Sequence, residues 1–140
     1  MVPTPFAGPR RLRADADGNL WIGAFPESAI ARYEPKTGRF TRFELPVAPR
    51  GSDTPYSLNI DKRRGLVWVN GNQSDSLHVL DMKTLIWRSL PLPRRVAFTR
   101  DIEIAEDGTV FTSTSSFPSW HVEDAQPTLI RVQLQPTAPR

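Results

Sequence analysis

Residues 116–124 read SFPSWHVED and set Trp120, His121 and Glu123 within four positions of one another. An imidazole beside a carboxylate makes an acid–base pair, or two of the three or more protein ligands that a metal usually needs. With Asp101 as a second carboxylate, His121 and Glu123 are the catalytic candidates; the competing reading of His121 is a surface histidine on a lid loop. Arg10 and Arg100 point to a different chemistry, because a guanidinium fork presents paired donors to a carboxylate or phosphate. Arg11, Tyr56, Asn70, Asn72 and Trp120 join them as ligand-binding candidates. Asp101 competes here too, since it could neutralise Arg100 from the next position in the chain. His78 alternates within an apolar stretch and reads as packed or half-buried.

Other chemistries are excluded or unsupported. The chain has no cysteine, which rules out disulfides, cysteine zinc sites and thiol catalysis. DADG at Asp15 to Gly18 lacks the upstream acid and the later glutamate of a calcium loop, so it reads as a hairpin turn. No metal site is assigned, and there is neither a Gly-rich phosphate loop nor a nucleophile elbow. Eighteen Lys and Arg against 15 Asp and Glu give a net charge of +3, but the bases come singly or in pairs beside turns, with no nucleic-acid motif. Neither a nucleic-acid nor a membrane partner is expected: no window reaches the length of a spanning helix, and MVPTPFAGPRR lacks the apolar core of an export signal. Periplasm and cytoplasm both fit.

What positions these residues is a repeat. Gly18-Asn19-Leu20-Trp21, Gly65-Leu66-Val67-Trp68 and Gly108-Thr109-Val110-Phe111 place an aromatic three residues after a glycine, and the glycines recur 47 and 43 residues apart. A period of this length marks a modular repeat such as a propeller blade. Before each glycine comes a period-two stretch (Leu12 to Ala14, Leu58 to Ile60, Ile102 to Ile104), which predicts a first strand. The glycine turns the chain into the aromatic second strand. Third strands follow at Ala29 to Tyr33, Leu77 to Leu80 and Leu129 to Val132. EPKTGRF and DMKTLIW lead into fourth strands, Phe40 to Leu45 and Trp87 to Leu90, each stopped by a proline that cannot donate to a ladder.

The expected architecture is all-β: a partial propeller of about three blades of four-stranded antiparallel sheet (about 9–46, 55–91 and 100–134), in a single unit over 1–140. The last blade lacks its outer strand. MVPTPFAGPRRL lines up with ELPVAPRGSDTPYSL, so the chain reads as the C-terminal part of a six- or seven-bladed ring. Each blade buries two faces against neighbours, and an aliphatic side chain left in water forgoes ~1.5–3 kcal/mol. Self-association or further blades are therefore expected to complete the ring. The loops before the first strands and those between the second and third strands open on one face. There Arg10, Arg11, Tyr56, Arg100 and Asp101 would meet Glu27, Asn70, Asn72, Asp75, Trp120, His121 and Glu123.

GPRRLRADADGNLWI followed by SAIARYEPKTGRFTRFELP resembles the blades of the virginiamycin B lyase (streptogramin lyase) family and, more loosely, the SMP-30/gluconolactonase-like and NHL propellers. The resemblance covers Gly8 to Leu92 best. It implies a seven-bladed ring in which histidine and glutamate, with magnesium, open a cyclic depsipeptide by elimination. It places the histidine after a proline before the first strand; here those places read Pro9-Arg10-Arg11-Leu12, Pro55-Tyr56-Ser57-Leu58 and Thr99-Arg100-Asp101-Ile102. It places the glutamate three residues past the aromatic, where Ala24, Gly71 and Thr114 stand. The expected function is thus a ligand- or partner-binding propeller segment, its ligand a small molecule or peptide, that lacks the lyase His and Glu. The alternative is a lyase or lactonase-type hydrolase whose site is completed by other blades or a second subunit. No cofactor is evident from the residues, and magnesium rests on the resemblance alone.

Overall fold

A computed structural model describes residues 1–115 and 128–135. The described residues form eleven strands in three antiparallel sheets. Sheet one holds β1 (Pro9–Ala14), β2 (Leu20–Ala24), β3 (Ala29–Glu34) and β4 (Arg39–Glu44) in that order. Sheet two holds β5 (Pro55–Asp61), β6 (Leu66–Gly71), β7 (Ser76–Asp81) and β8 (Trp87–Pro91), again in chain order. Sheet three holds β9 (Glu103–Ile104), β10 (Val110–Ser113) and β11 (Leu129–Val132). Every pairing is between chain neighbours, as up-and-down blades require, and the third sheet stops at three strands among the described residues. The first strands lie together, β1 against β5 and β5 against β9, and the Asn59 side-chain amide donates to the Ile102 carbonyl at 2.8 Å. The three sheets fan outward from that inner edge.

Period-two alternation explains why β6 is buried along its whole length. Val67 and Val69, with Leu58, Ile60 and Leu80, meet Trp21, Ile30 and Leu45 of the first repeat. The alternate residues Leu66 and Trp68, with Leu77 and Val79, meet Ile102 and Val110 of the third. Sheet two is therefore covered on both sides, each side by one neighbour. The outward faces of sheets one and three each carry an exposed apolar side chain among the described residues, Leu12 at 52% and Leu129 at 71%, although Ile22 and Ala31 beside Leu12 are buried.

The two tryptophans occupy equivalent places but differ at the indole nitrogen. In the first turn Gly18 takes φ 82°, and Asp15 folds its carboxylate back into the blade. Oδ1 accepts the Asp17 and Asn19 amides, while Oδ2 accepts the Trp21 indole N–H at 2.9 Å. In the second repeat the turn is one residue longer, and Asp61 is held by Arg64, whose backbone N–H and Nη1 donate to it at 3.0 and 3.1 Å. The buried Trp68 Nε1 is left with no hydrogen-bond partner among the described residues.

Acid should weaken this arrangement. Burial raises the Asp15 pKa, but the hydrogen bonds from Trp21, Asn19 and Asp17 outweigh it and the net shift is downward. Asp53 behaves alike: burial raises it and hydrogen bonds from His78, Ser74, Gln73 and Thr54 lower it further. A carboxylate with a lowered folded pKa contributes stability that is complete above the unfolded value, ~3.9, and is lost as pH falls through the folded value. Urea midpoints are expected to hold near neutrality and to drop below about pH 4, with Asp15→Asn flattening that drop; an unchanged acid profile in the variant would remove Asp15 from the account.

Candidate functional site: an arginine–tyrosine cluster at one end of the inner strands

The starts of β1 and β5 both depart from regular pairing. In β1 the register shifts between Arg10 and Leu12, leaving Arg11 opposite no partner at φ 46°. In β5 it shifts between Pro55 and Leu58, so Tyr56 and Ser57 face a stretch of β6 one residue shorter. Bulges of this kind re-aim side chains at a sheet end. The ladder position lost at Ser57 is replaced by the Asn70 side chain, whose Oδ1 accepts the Ser57 amide at 2.6 Å.

The result is a cluster drawn from all three repeats. The Arg10 guanidinium lies over the Tyr56 ring at 3.8 Å and over Phe25 at 4.9 Å; Arg100 lies 5.6 Å from the same Tyr56 ring. Phe25 meets Tyr56 edge-on at 6.0 Å. Cation–π contact holds a guanidinium flat without using its N–H donors. Neither arginine has a carboxylate partner among the described residues. Two cations held in one place with their donors open suit an anionic group.

Several expectations need correcting at the level of contacts. Asp101 does not neutralise Arg100; its Oδ1 instead accepts the Ser57 hydroxyl at 3.2 Å and the Ile102 amide at 3.0 Å. Asn70 does not present its amide to a ligand. It is fully buried, its Nδ2 donates to the carbonyl and hydroxyl of Thr99, and it joins sheet two to the segment before β9. Asn72 donates its backbone N–H to the Thr54 carbonyl at 3.2 Å, and its buried Oδ1 has no partner among the described residues. Arg11 is exposed beside the cluster. Glu27 is taken up by the Ala7 amide and Arg42, whose hydrogen bonds lower its pKa. Asp75 accepts the Val96 and Ala97 amides. Trp120, His121 and Glu123 lie outside the described residues.

Sequence reasoning passed over one cluster. Asp53, in the connection from sheet one to sheet two, accepts from the Gln73 and Thr54 amides, the Ser74 hydroxyl and His78 Nε2, the last at 3.1 Å. His78 Nδ1 lies 2.9 Å from the Ser89 hydroxyl on the neighbouring strand. Carboxylate, imidazole and hydroxyl follow one another as in a serine hydrolase. Here, however, His78 is 1% exposed with both ring nitrogens engaged, which makes the group a clamp on the inter-sheet connection. A Cβ on Gly71 would come within 2.0 Å of the Asp53 carboxylate, so only glycine admits the clamp there. The sole sign of it in the sequence was a histidine inside an apolar strand.

The described residues do not fit a magnesium site: no group of three or more His, Asp or Glu side chains converges among them. No described helix is long and apolar enough to cross a membrane.

No protein-family model matches the chain. Solved structures similar to it are β-propellers. A streptogramin B lyase structure superposes with TM-score 0.73 at 20% identity, covering 94% of this chain and 42% of that one. A catalytically inactive virginiamycin B lyase from Staphylococcus aureus with quinupristin gives 0.68 at 15% identity, covering 99% and 45%. Hydrazine synthase from Kuenenia stuttgartiensis gives 0.66 at 20%, covering 81% and 31%. The chain thus spans less than half of each. Among curated sequences, 90 residues are 28% identical to TBC1 domain family member 31 of Mus musculus, covering 64% of this chain and 9% of that protein. At such identities the likeness establishes the fold, three adjacent blades of a propeller, and nothing of the chemistry.

Proposed function

We propose that this propeller segment binds a small molecule or peptide through an anionic group, at the end of the inner strands where Arg10 and Arg100 flank Tyr56. The observation that carries the reading is the convergence of two guanidiniums from different repeats on one ring. Arg11 extends the same positive rim. A thermal-shift screen of carboxylates and phosphates tests it: among the compounds that raise Tm, those seated at this rim should bind Arg10→Ala and Arg100→Ala about tenfold more weakly each, the worth of one charge-assisted hydrogen bond. Equal binding of every stabilising compound by the double variant would sink it. The apolar side chains exposed on the outward faces, Leu12 and Leu129, support a ring completed by further blades or a second copy, which sedimentation would read as association.

The likeness to streptogramin B lyase favours a second reading, an elimination or lactonase-type enzyme completed from outside this chain. Arg10, Tyr56 and Arg100 stand where the lyase histidines would be sought, so this chain alone is expected to leave quinupristin intact. Turnover by the purified chain would reverse the order of the two readings.

A further inference from the structure

A second site lies at the opposite end of the blades. A cavity of about 540 Å³ opens between sheets two and three, lined by Trp68, Leu66 and Arg88 of sheet two, by the Asp61–Arg64 pair, and by Gln133 to Gln135 with the Asp107 turn of the third repeat. That volume lies within the range of small-molecule sites. Trp68, one of its walls, is 1% exposed, and its Nε1 is a buried donor with no acceptor among the described residues. Leaving such a donor unmet is costly, so an acceptor is expected to be drawn to it.

The first repeat shows which acceptor fits. There the equivalent indole N–H donates to a carboxylate oxygen, Asp15 Oδ2. In the second repeat the matching Asp61 is turned onto Arg64, and Arg64 in turn donates to the Asp107 carbonyl. Those contacts leave Asp61 close to neutralised. The Asp107 carboxylate is bound by the amide and hydroxyl of Thr109. Arg88, the other cation on the cavity wall, helps to lower the Asp81 pKa through its charge but makes no salt bridge within 4 Å among the described residues. We infer that this cavity binds the carboxylate of a small organic acid, one oxygen accepting from Trp68 Nε1 and the charge facing Arg88, in the place that Asp15 fills one blade earlier. Leu66 and Leu134 supply an apolar wall for the body of the acid.

The probe is benzoate, followed by the indole N–H cross-peaks of the whole chain, with the Trp68 peak assigned by its loss in Trp68→Phe. Over a titration to about 50 mM, above the millimolar Kd that so small a ligand reaches, the Trp68 peak is expected to shift saturably and the Trp21 peak to stay. Benzamide, of the same shape without the charge, should leave it in place. Arg88→Ala should weaken benzoate about tenfold, whereas Arg10→Ala and Arg100→Ala should not, which separates this site from the rim cluster. An amidated peptide with one internal aspartate, run in parallel, tells a peptide carboxylate from a free acid by which of the two binds more tightly. The inference is overturned if neither carboxylate moves the Trp68 peak, if benzamide moves it equally, or if benzoate affinity survives in a folded Trp68→Phe.

Discussion

Trp21→Ala is expected to lower the free energy of unfolding by about 3–5 kcal/mol, the range for truncating a buried aromatic in a core. The ring is fully buried between sheets one and two, stacked on Phe43 at 5.3 Å. Its removal also strips the indole hydrogen bond from Asp15 Oδ2, which keeps only the Asn19 side-chain amide. The two contributions separate in the phenylalanine variants. Both Trp21→Phe and Trp68→Phe lose ring volume, but only the first strips a hydrogen bond from a buried acid. Trp21→Phe should therefore cost about 1–3 kcal/mol more than Trp68→Phe. Urea denaturation of the two variants checks it, and equal losses would mean that the Asp15 contact carries nothing. A loss under about 1 kcal/mol for Trp21→Ala would contradict the burial itself.

The second large effect is expected at Asp53. Asp53→Ala removes the acceptor for His78 Nε2, Ser74 and two backbone amides at once, in a place where both Asp53 and His78 are 1% exposed. Because a carboxylate only accepts, Nε2 carries the hydrogen of its contact with Asp53, while Nδ1 lies within hydrogen-bond reach of the Ser89 hydroxyl. Leaving a buried donor without its acceptor costs about 1–3 kcal/mol, and this change leaves several unmet at once. Ser89→Ala should cost far less, since an exposed hydroxyl leaves water free to replace it. Denaturation measured at neutral pH, where Asp53 is ionised, gives the comparison; parity between the two variants would show that the clamp does not hold the connection. Gly71→Ala should resemble Asp53→Ala in direction, because its methyl group would enter the space that the carboxylate occupies.

The strands were legible because their signals are local. Alternation of apolar and polar residues needs only period two, and the glycine–aromatic spacing repeats within each unit, so both survive without knowledge of neighbours. The burial of Trp21 and Trp68 followed from that spacing too. The convergence of Arg10, Tyr56 and Arg100 was half legible: the repeat placed them at one end, but which ring each guanidinium would lie on depended on two bulges that no composition signal marks. Asn70 was misread for the same reason. An asparagine at a strand end looks like a ligand donor until the bulge at Ser57 and the Thr99 segment take both ends of its amide.

By itself the sequence determined the number of strands, their order and the apolar residues that each sheet turns to the core, since those depend on periodicity and turn chemistry within a few residues. Tertiary structure alone decided which polar groups meet. Asp53 reaches His78 across 25 positions, Asn70 reaches Thr99 across 29, and two arginines 90 positions apart share one tyrosine. The physical reason is range: backbone pairing and burial are set by a residue's own pattern, whereas a hydrogen bond or cation–π contact forms only when distant chain segments arrive within a few ångströms.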